Sequence, residues 1–202
     1  MPEALKRLIN TISLLPWIGE KTATKLAFFL LNTKWNYIDN FKNHLDDIQC
    51  KIWKCSICWS LTCIDQENCK ICSSSNREKD LICVVEEYLD LLTIEQTGWY
   101  NWTYHILWGS ISPINWVFAA DLNFKKLFER IENSENKIEL LVATNPNIEW
   151  EATTAYLKEE ISKLWLSYKT KITRLSRGLS SGYIEYADNI TILNAIKERK
   201  EI

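Results

Sequence analysis

Glycine is scarce in this 202-residue chain, which contains five glycines and four prolines. At the ordinary usage of about 7%, a chain of this length has roughly 14 glycines, so many turns must be made without the residue that suits them best. Tryptophan is in excess, with ten residues. The two counts together come close to the number of glycines that the length predicts.

Neither sign of charge dominates the sequence, which has 24 Lys and Arg against 26 Asp and Glu, a net charge of -2. This balance excludes a globally basic nucleic-acid coat, although a local basic patch is compatible with it. No stretch approaches the roughly 18 apolar residues of a membrane helix, and the first residues lack the apolar run of a signal peptide. We therefore expect a cytoplasmic protein without a membrane segment.

The distribution of hydrophobic residues predicts an α/β fold of more than one domain. Helical periodicity marks two N-terminal helices, around Leu5–Ile12 and Lys21–Leu31. After residue 80, short apolar runs alternate with helical stretches, which favours a mostly parallel sheet with helical crossovers. The predicted strands are Leu81–Val85, Tyr104–Leu107, Ile138–Ala143 and Lys171–Leu175, and the predicted helices are Leu89–Thr97, Asp121–Ile131 and Glu149–Leu166.

Four of the seven cysteines form two Cys-x2-Cys pairs, Cys55 with Cys58 and Cys69 with Cys72, separated by ten residues. Each pair can bind one ion from a tight turn, and two pairs complete a closed tetrahedral sulfur site, which is typical of structural zinc. All four positions are filled by protein ligands, so no place remains for a catalytic water. The alternative is a group of four free buried thiols.

The two N-terminal helices are joined by Leu15-Pro16-Trp17-Ile18-Gly19, a turn that is typical of a helix-hairpin-helix. Such a hairpin presents backbone N–H groups to a phosphate of DNA, and it needs small residues where the phosphate approaches. Lys21 and Lys25 lie four residues apart on one helical face and can each contact a phosphate. We predict DNA binding through these two lysines together with Trp17 and Gly19. The alternative is a plain helical hairpin with solvated lysines.

Nine segments follow one another along almost the whole chain. They are Leu14–Ala23, the cysteine quartet, Ile82–Glu87, Ile94–Gly98, Tyr104–Leu107, Ile111–Pro113, Ala143–Pro146, Glu149–Thr153 and Thr173–Leu175. Taken together and in this order, they resemble the bacterial RecR family of recombination mediators. Each segment alone is modest, whereas the set is specific.

The resemblance implies four regions: a helix-hairpin-helix at residues 1–49, a four-cysteine zinc finger at 50–78, a Toprim domain at 79–176 and a short C-terminal region at 177–202. It also implies a protein without enzymatic activity that takes part in recombinational DNA repair. Such a protein acts with RecO and RecF to load recombinase at gapped DNA, and it assembles into a dimer or a tetrameric ring. The expected cofactor is zinc.

Toprim enzymes use a glutamate at a strand end and a later Asp-x-Asp-x-Glu motif to bind Mg²⁺. Here the strand-end residues are Glu86 and Glu87, and the later motif is Asn145-Pro146-Asn147-Ile148-Glu149. Both aspartate positions hold amides, so two negative charges that a hard cation needs are missing. Weak Mg²⁺ binding or a partner contact through Glu86, Glu87 and Glu149 stays open. The alternatives are a Mg²⁺-dependent Toprim nuclease or topoisomerase, and a zinc-containing scaffold that binds only proteins.

Several tryptophans fall where the resemblance places glycine. They are Trp17, Trp53, Trp59, Trp102, Trp108, Trp116 and Trp150, whereas Trp35, Trp99 and Trp165 have no clear glycine counterpart. A codon that the organism reads as glycine, translated here as tryptophan, explains both the excess and the deficit. The alternative is a genuinely tryptophan-rich variant.

Overall fold

The structure is a computed structural model that describes residues 1–143, 148–176 and 184–202. The chain divides into two compact units, Met1–Lys51 and Ile52–Ile202. Within the described residues, no helix is both long and apolar enough to span a membrane.

The first unit is helical, with α1 at Glu3–Ser13, α2 at Glu20–Asn32 and α3 at Trp35–Lys51. Helices α1 and α2 pack through Ile9, Ala23 and Ala27, all buried. The small alanines allow close helix contact. The apolar stripe of α1 faces this contact, as its 3.6-residue period predicts.

The second unit begins with a small cysteine module at residues 52–73. Strand β1 (Ile52–Lys54) pairs antiparallel with β2 (Leu61–Cys63), and the short helix α4 (Lys70–Ser73) follows. The two Cys-x2-Cys pairs lie in this module, one in the turn between the strands and one at the start of α4. Its only fully buried hydrophobic side chains are those four cysteines, so it has no apolar core of its own.

The rest of the second unit is a five-stranded sheet in the order β4-β3-β5-β6-β7. The first four strands are mutually parallel and β7 is antiparallel. The strands are β3 (Glu78–Val85), β4 (Trp102–Ile106), β5 (Ile138–Val142), β6 (Thr170–Arg174) and β7 (Lys200–Glu201). The helices of this part are α5 (Tyr88–Gln96), α6 (Phe124–Glu132), α7 (Ile148–Lys163) and α8 (Asn189–Lys197). The predicted α/β class with a mostly parallel sheet is confirmed.

Both faces of the sheet are buried. Ile82 and Val84 of β3 pack with α6 and α7 on one face, and Cys83 and Val85 pack with α5 and α8 on the other. Two-sided burial explains why these strands appear in the sequence as continuous apolar runs. Strand β4 lies beside β3 on one side, and β5, the next strand along the chain, lies beside β3 on the other side. The carboxyl end of β3 is therefore a topological switch point, where α/β proteins place functional residues.

Candidate functional site

The four predicted cysteine ligands converge on one point. The Sγ atoms of Cys55, Cys58, Cys69 and Cys72 all lie within 4.8 Å of one another, and all four side chains are buried. The Sγ atoms of Cys58 and Cys69 are 3.6 Å apart, and none of the cysteines is in a disulfide. Backbone N–H groups of Ser60 and Cys72 donate to the sulfurs of Cys58 and Cys69, respectively. The cluster can hold a metal ion.

Hydrogen bonds among these thiols make their acidities unequal. Bonds from Cys58, Cys69 and Cys72 hold the pKa of Cys55 below its usual range. The bonds to Cys55 raise the pKa of Cys58 and of Cys72. Four adjacent thiolates repel one another, so a bound cation is what allows all four to be deprotonated together.

The cysteine module is attached directly to the sheet. The Ile106 N–H, at the end of β4, donates to the Cys58 carbonyl at 3.0 Å. Arg130 of α6 donates to the Tyr104 carbonyl and to Thr103 Oγ1 beneath the module. Burial lowers the pKa of Arg130, and the charge of the nearby cysteines opposes this shift. The guanidinium therefore offsets part of the negative charge of a loaded tetrathiolate site.

The acidic edge lies at the carboxyl end of β3. Glu86 follows that strand and accepts a hydrogen bond from Ser110 Oγ at 2.9 Å. Glu149, in the first turn of α7, accepts bonds from Ser112 Oγ and from Asn115 Nδ2. Both glutamates are half-buried and both are held by the loop after β4. The structure therefore brings Glu86 and Glu149 to the same loop.

The third acidic candidate is placed differently. Glu87 is exposed and occupies the N-cap position of α5, where its backbone N–H donates to Asp90 Oδ2 at 2.9 Å. This is the arrangement of a helix start. Asn145 and Asn147 lie outside the described residues. Among the residues that are described, the four cysteines are the one group of three or more His, Cys, Asp or Glu close enough to share a metal.

The two histidines lie in different surroundings. His105 in β4 is fully buried, and burial lowers its pKa to about 3. Its Nε2 lies 2.8 Å from the Asn123 carbonyl oxygen, so this histidine is a neutral core residue. His44 is exposed on α3, in the other compact unit. Sequence reasoning missed Ser110 and Ser112, because nothing local in the sequence marks a hydroxyl that binds a glutamate 24 or 37 residues away.

The N-terminal hairpin has the predicted form. Gly19 caps α2 without a side chain, and an added Cβ would meet nothing within 4 Å. Lys21 and Lys25 are both exposed on α2. The Trp17 side chain, in the turn before Gly19, is fully solvent-exposed at 102%. The first N–H groups of a helix have no acceptor within that helix, so this end of α2 presents donors beside two cations.

Similarity to known proteins extends over the whole chain. Residues 80–176 match the Toprim domain. The chain is 40% identical over 202 residues to "Recombination protein RecR" of Staphylococcus aureus (strain MRSA252), covering 100% of this chain and 98% of the relative. It is 41% identical over 201 residues to the protein of the same name from Heliobacterium modesticaldum (strain ATCC 51547 / Ice1), covering 99% and 98%, respectively.

The chain belongs to the RecR family. The resemblance inferred from the sequence segments is thereby confirmed, as is the Toprim domain. The match to RecR proteins covers both compact units, so the helical hairpin and the cysteine cluster belong to the same family assignment as the sheet.

Proposed function

We propose that this chain is a non-enzymatic, DNA-binding recombination mediator that acts with RecO and RecF to load recombinase at gapped DNA. The observation that carries the proposal is the full-length similarity to proteins named "Recombination protein RecR". The proposed regions are the hairpin at 1–49, the zinc finger at 50–78, the Toprim domain at 79–176 and the C-terminal region at 177–202.

The proposed DNA contact is the start of α2. Its N-terminal N–H groups, the Gly19 cap and the exposed Lys21 and Lys25 provide donors and positive charge for the phosphate backbone. Contacts of this kind read no bases, so binding depends on phosphate positions and DNA shape. The net charge of -2 means that affinity rests on this local patch and on several copies acting together.

The proposed metal is zinc, held by Cys55, Cys58, Cys69 and Cys72. Zn–S bonds of about 2.3 Å place two sulfurs of a tetrahedron about 3.8 Å apart. The Cys58–Cys69 separation of 3.6 Å fits that geometry. Four thiolate ligands close the coordination sphere, so the ion supplies folding stability to a module that lacks an apolar core.

The proposed assembly is a dimer or a tetrameric ring of identical chains. In the first unit, many large apolar side chains of α2 and α3 are more than 40% exposed, and α3 has no buried side chain. These exposed apolar side chains are Phe28, Phe29, Leu31, Trp35, Tyr37, Phe41, Leu45 and Ile48. An apolar surface of this extent is typical of a protein–protein contact, and a second copy of the chain is the partner that we propose.

Replacing both Lys21 and Lys25 by alanine is expected to weaken binding by a similar factor for DNA of any sequence. It should also reduce the slope of log K against log salt by about 1.8, because each phosphate contact contributes about 0.9. A salt series of fluorescence-anisotropy titrations with 5′-labelled gapped DNA measures both quantities.

The matched control is Lys125→Ala with Lys126→Ala, which removes the same charge from the exposed surface of α6. This control should keep the full salt slope. An unchanged slope in the α2 variant would contradict the proposed contact. Absence of DNA binding by the unmodified protein, together with retained binding of RecO, would favour the protein-interaction scaffold.

We expect no DNA relaxation, DNA cleavage or primer synthesis from the purified protein in Mg²⁺. The reason is that Asn145 and Asn147 replace the two carboxylates on which Mg²⁺ chemistry depends. Gel assays with supercoiled, linear and primed DNA test this expectation. An activity that Glu86→Gln abolishes, but that Glu87→Gln leaves intact, would restore the interpretation as a Toprim enzyme.

A further inference from the structure

Every non-glycine residue with a positive φ in the described part of the chain is a tryptophan. They are Trp17, Trp59, Trp108, Trp116 and Trp165, with φ between 57° and 62°. Left-handed backbone is uncommon for residues with a Cβ, and where it occurs Asn and Asp are the enriched types. A bulky aromatic residue at all five positions has no stereochemical explanation.

Two of these positions occur in turns whose glycine requirement is well defined. The Ile18 N–H donates to the Leu15 carbonyl at 3.2 Å, with Pro16 second and Trp17 third in the turn. A proline at the second position of a turn and a positive φ at the third are typical of a type II turn, which takes glycine at the third position.

The C-terminus of α7 is equally specific. The Leu166 N–H donates to the Ile161 carbonyl at 2.9 Å, and the Trp165 N–H donates to the Ser162 carbonyl at 3.1 Å. These two bonds define a Schellman motif with Trp165 at the C′ position, which is usually glycine. Leu166 and Ile161, both buried, make up its hydrophobic pair.

The other three positions also lie at abrupt changes of chain direction. Trp59 directly follows the second cysteine of the cluster, and its N–H donates to the Cys55 carbonyl. Trp116 ends a 3-10 turn at φ 58° and ψ 30°. Trp108 follows β4 and precedes Gly109, which itself has φ 142°.

Three of the five indole rings gain almost nothing that could offset this strain. Trp17, Trp165 and Trp116 are exposed at 102%, 84% and 80%, so they bury almost no apolar surface. Trp59 and Trp108 are partly buried and contact the Lys54 ammonium, whose Nζ lies 4.6 and 4.5 Å from their ring centroids. The Trp108 Nε1–H also donates to the Trp59 carbonyl at 2.9 Å, so these two rings offset part of their strain.

We infer that the organism builds this protein with glycine at positions 17, 59, 108, 116 and 165. The economical cause is a UGA codon that the organism reads as glycine and that has been translated here as tryptophan. UGA differs by one base from the tryptophan codon UGG and by one base from the glycine codon GGA. The inference rests on backbone geometry and on the residue counts, and it is independent of the proposed function.

The backbone distinguishes these five positions from others that the resemblance alone suggests. Trp53 and Trp102 lie in strands and Trp150 lies in a helix, where φ is negative and a side chain is accepted. Glycine at those three positions stays a prediction from the resemblance. Trp165 has no clear glycine counterpart in the resemblance, and the Schellman motif adds it.

The gene provides the first test. Sequencing it should show TGA at codons 17, 59, 108, 116 and 165, and TGG codons there would overturn the inference. Mass spectrometry of tryptic peptides from the native organism gives an independent result. The peptides should carry the mass of glycine at these positions, and the mass of tryptophan there would contradict it.

Recombinant proteins test the physical argument. In the zinc-loaded protein, glycine at all five positions should raise Tm by about 2–4 °C per position. Alanine at the same positions removes the indoles but keeps a Cβ, so it should gain much less. Glycine at Trp35 and Trp99, which are exposed and have no positive φ, should give no rise. Equal Tm values for the five-glycine and five-alanine proteins would show that relief of backbone strain at these positions does not cause the rise in Tm.

Discussion

Removing the proposed zinc ion is expected to unfold the module at residues 52–73 and to lower the stability of the whole second unit. That module has no buried hydrophobic side chain apart from its four cysteines, so the proposed ion would take the place of a core. Structural zinc in finger peptides contributes about 10–16 kcal/mol of apparent binding free energy at pH 7. A strong chelator should therefore lower Tm steeply, and acid should release the metal because each ligand must be deprotonated to bind.

Cys55→Ser is the specific variant for this prediction. The purified wild-type protein should contain about one zinc ion per chain by elemental analysis, and Cys55→Ser should lose most of it together with thermal stability. Cys63→Ser is the matched control, because Cys63 is exposed in the same module and is not in the cluster. Full zinc content and unchanged Tm in Cys55→Ser would contradict the assignment.

Arg77→Met is expected to destabilise the protein by about 2–3 kcal/mol, which corresponds to a Tm decrease of roughly 4–12 °C. The guanidinium makes a two-pronged contact with Glu95, at 2.6 and 2.8 Å, and donates to the Tyr100 carbonyl at 2.9 Å. The hydrogen bonds that Arg77 donates to the Glu95 carboxylate raise the pKa of Arg77. The two side chains are only 18% and 24% exposed. Without Arg77, the Glu95 carboxylate stays shielded from water, and the Tyr104 hydroxyl is its one remaining donor among the residues that the structure describes.

A double-mutant cycle separates this ion pair from the loss of packing. Adding Glu95→Gln to Arg77→Met should recover part of the lost stability, since no unpaired charge remains. The control pair is Lys126 and Glu129, which is exposed on both sides and should contribute less than about 1 kcal/mol. Strictly additive effects of Arg77→Met and Glu95→Gln would contradict the account. The pair matters because it fixes the segment between the cysteine module and β3 against α5.

The parallel sheet was predictable because its strands are buried on both sides. Burial leaves continuous apolar runs such as Leu81–Val85 in the sequence. The cysteine cluster was predictable for a different reason, namely that ligand spacing within a tight turn is a local property. In both cases the signal lies within a few residues of the chain.

Other features were missed. Helix α3 was not predicted, although the apolar residues between Ile38 and Ile48 recur at helical spacing; none of its side chains is buried. The acidic edge depends on contacts between distant segments, such as Ser112 with Glu149. Glu87 follows Glu86 directly, yet it caps a helix because the chain turns into α5 at that point. Only the three-dimensional path of the backbone separates the two neighbouring glutamates.

Loading of recombinase onto gapped DNA tests the central claim most directly. Fluorescently labelled recombinase is mixed with surface-attached gapped DNA and RecO, with or without this chain, and filament growth at the gap is followed by microscopy. We expect the chain to increase the rate of filament formation, and the variant with Lys21→Ala and Lys25→Ala to lose most of that increase while the Lys125→Ala and Lys126→Ala control keeps it. Filament formation at the same rate with and without the zinc-loaded chain would contradict the proposed function.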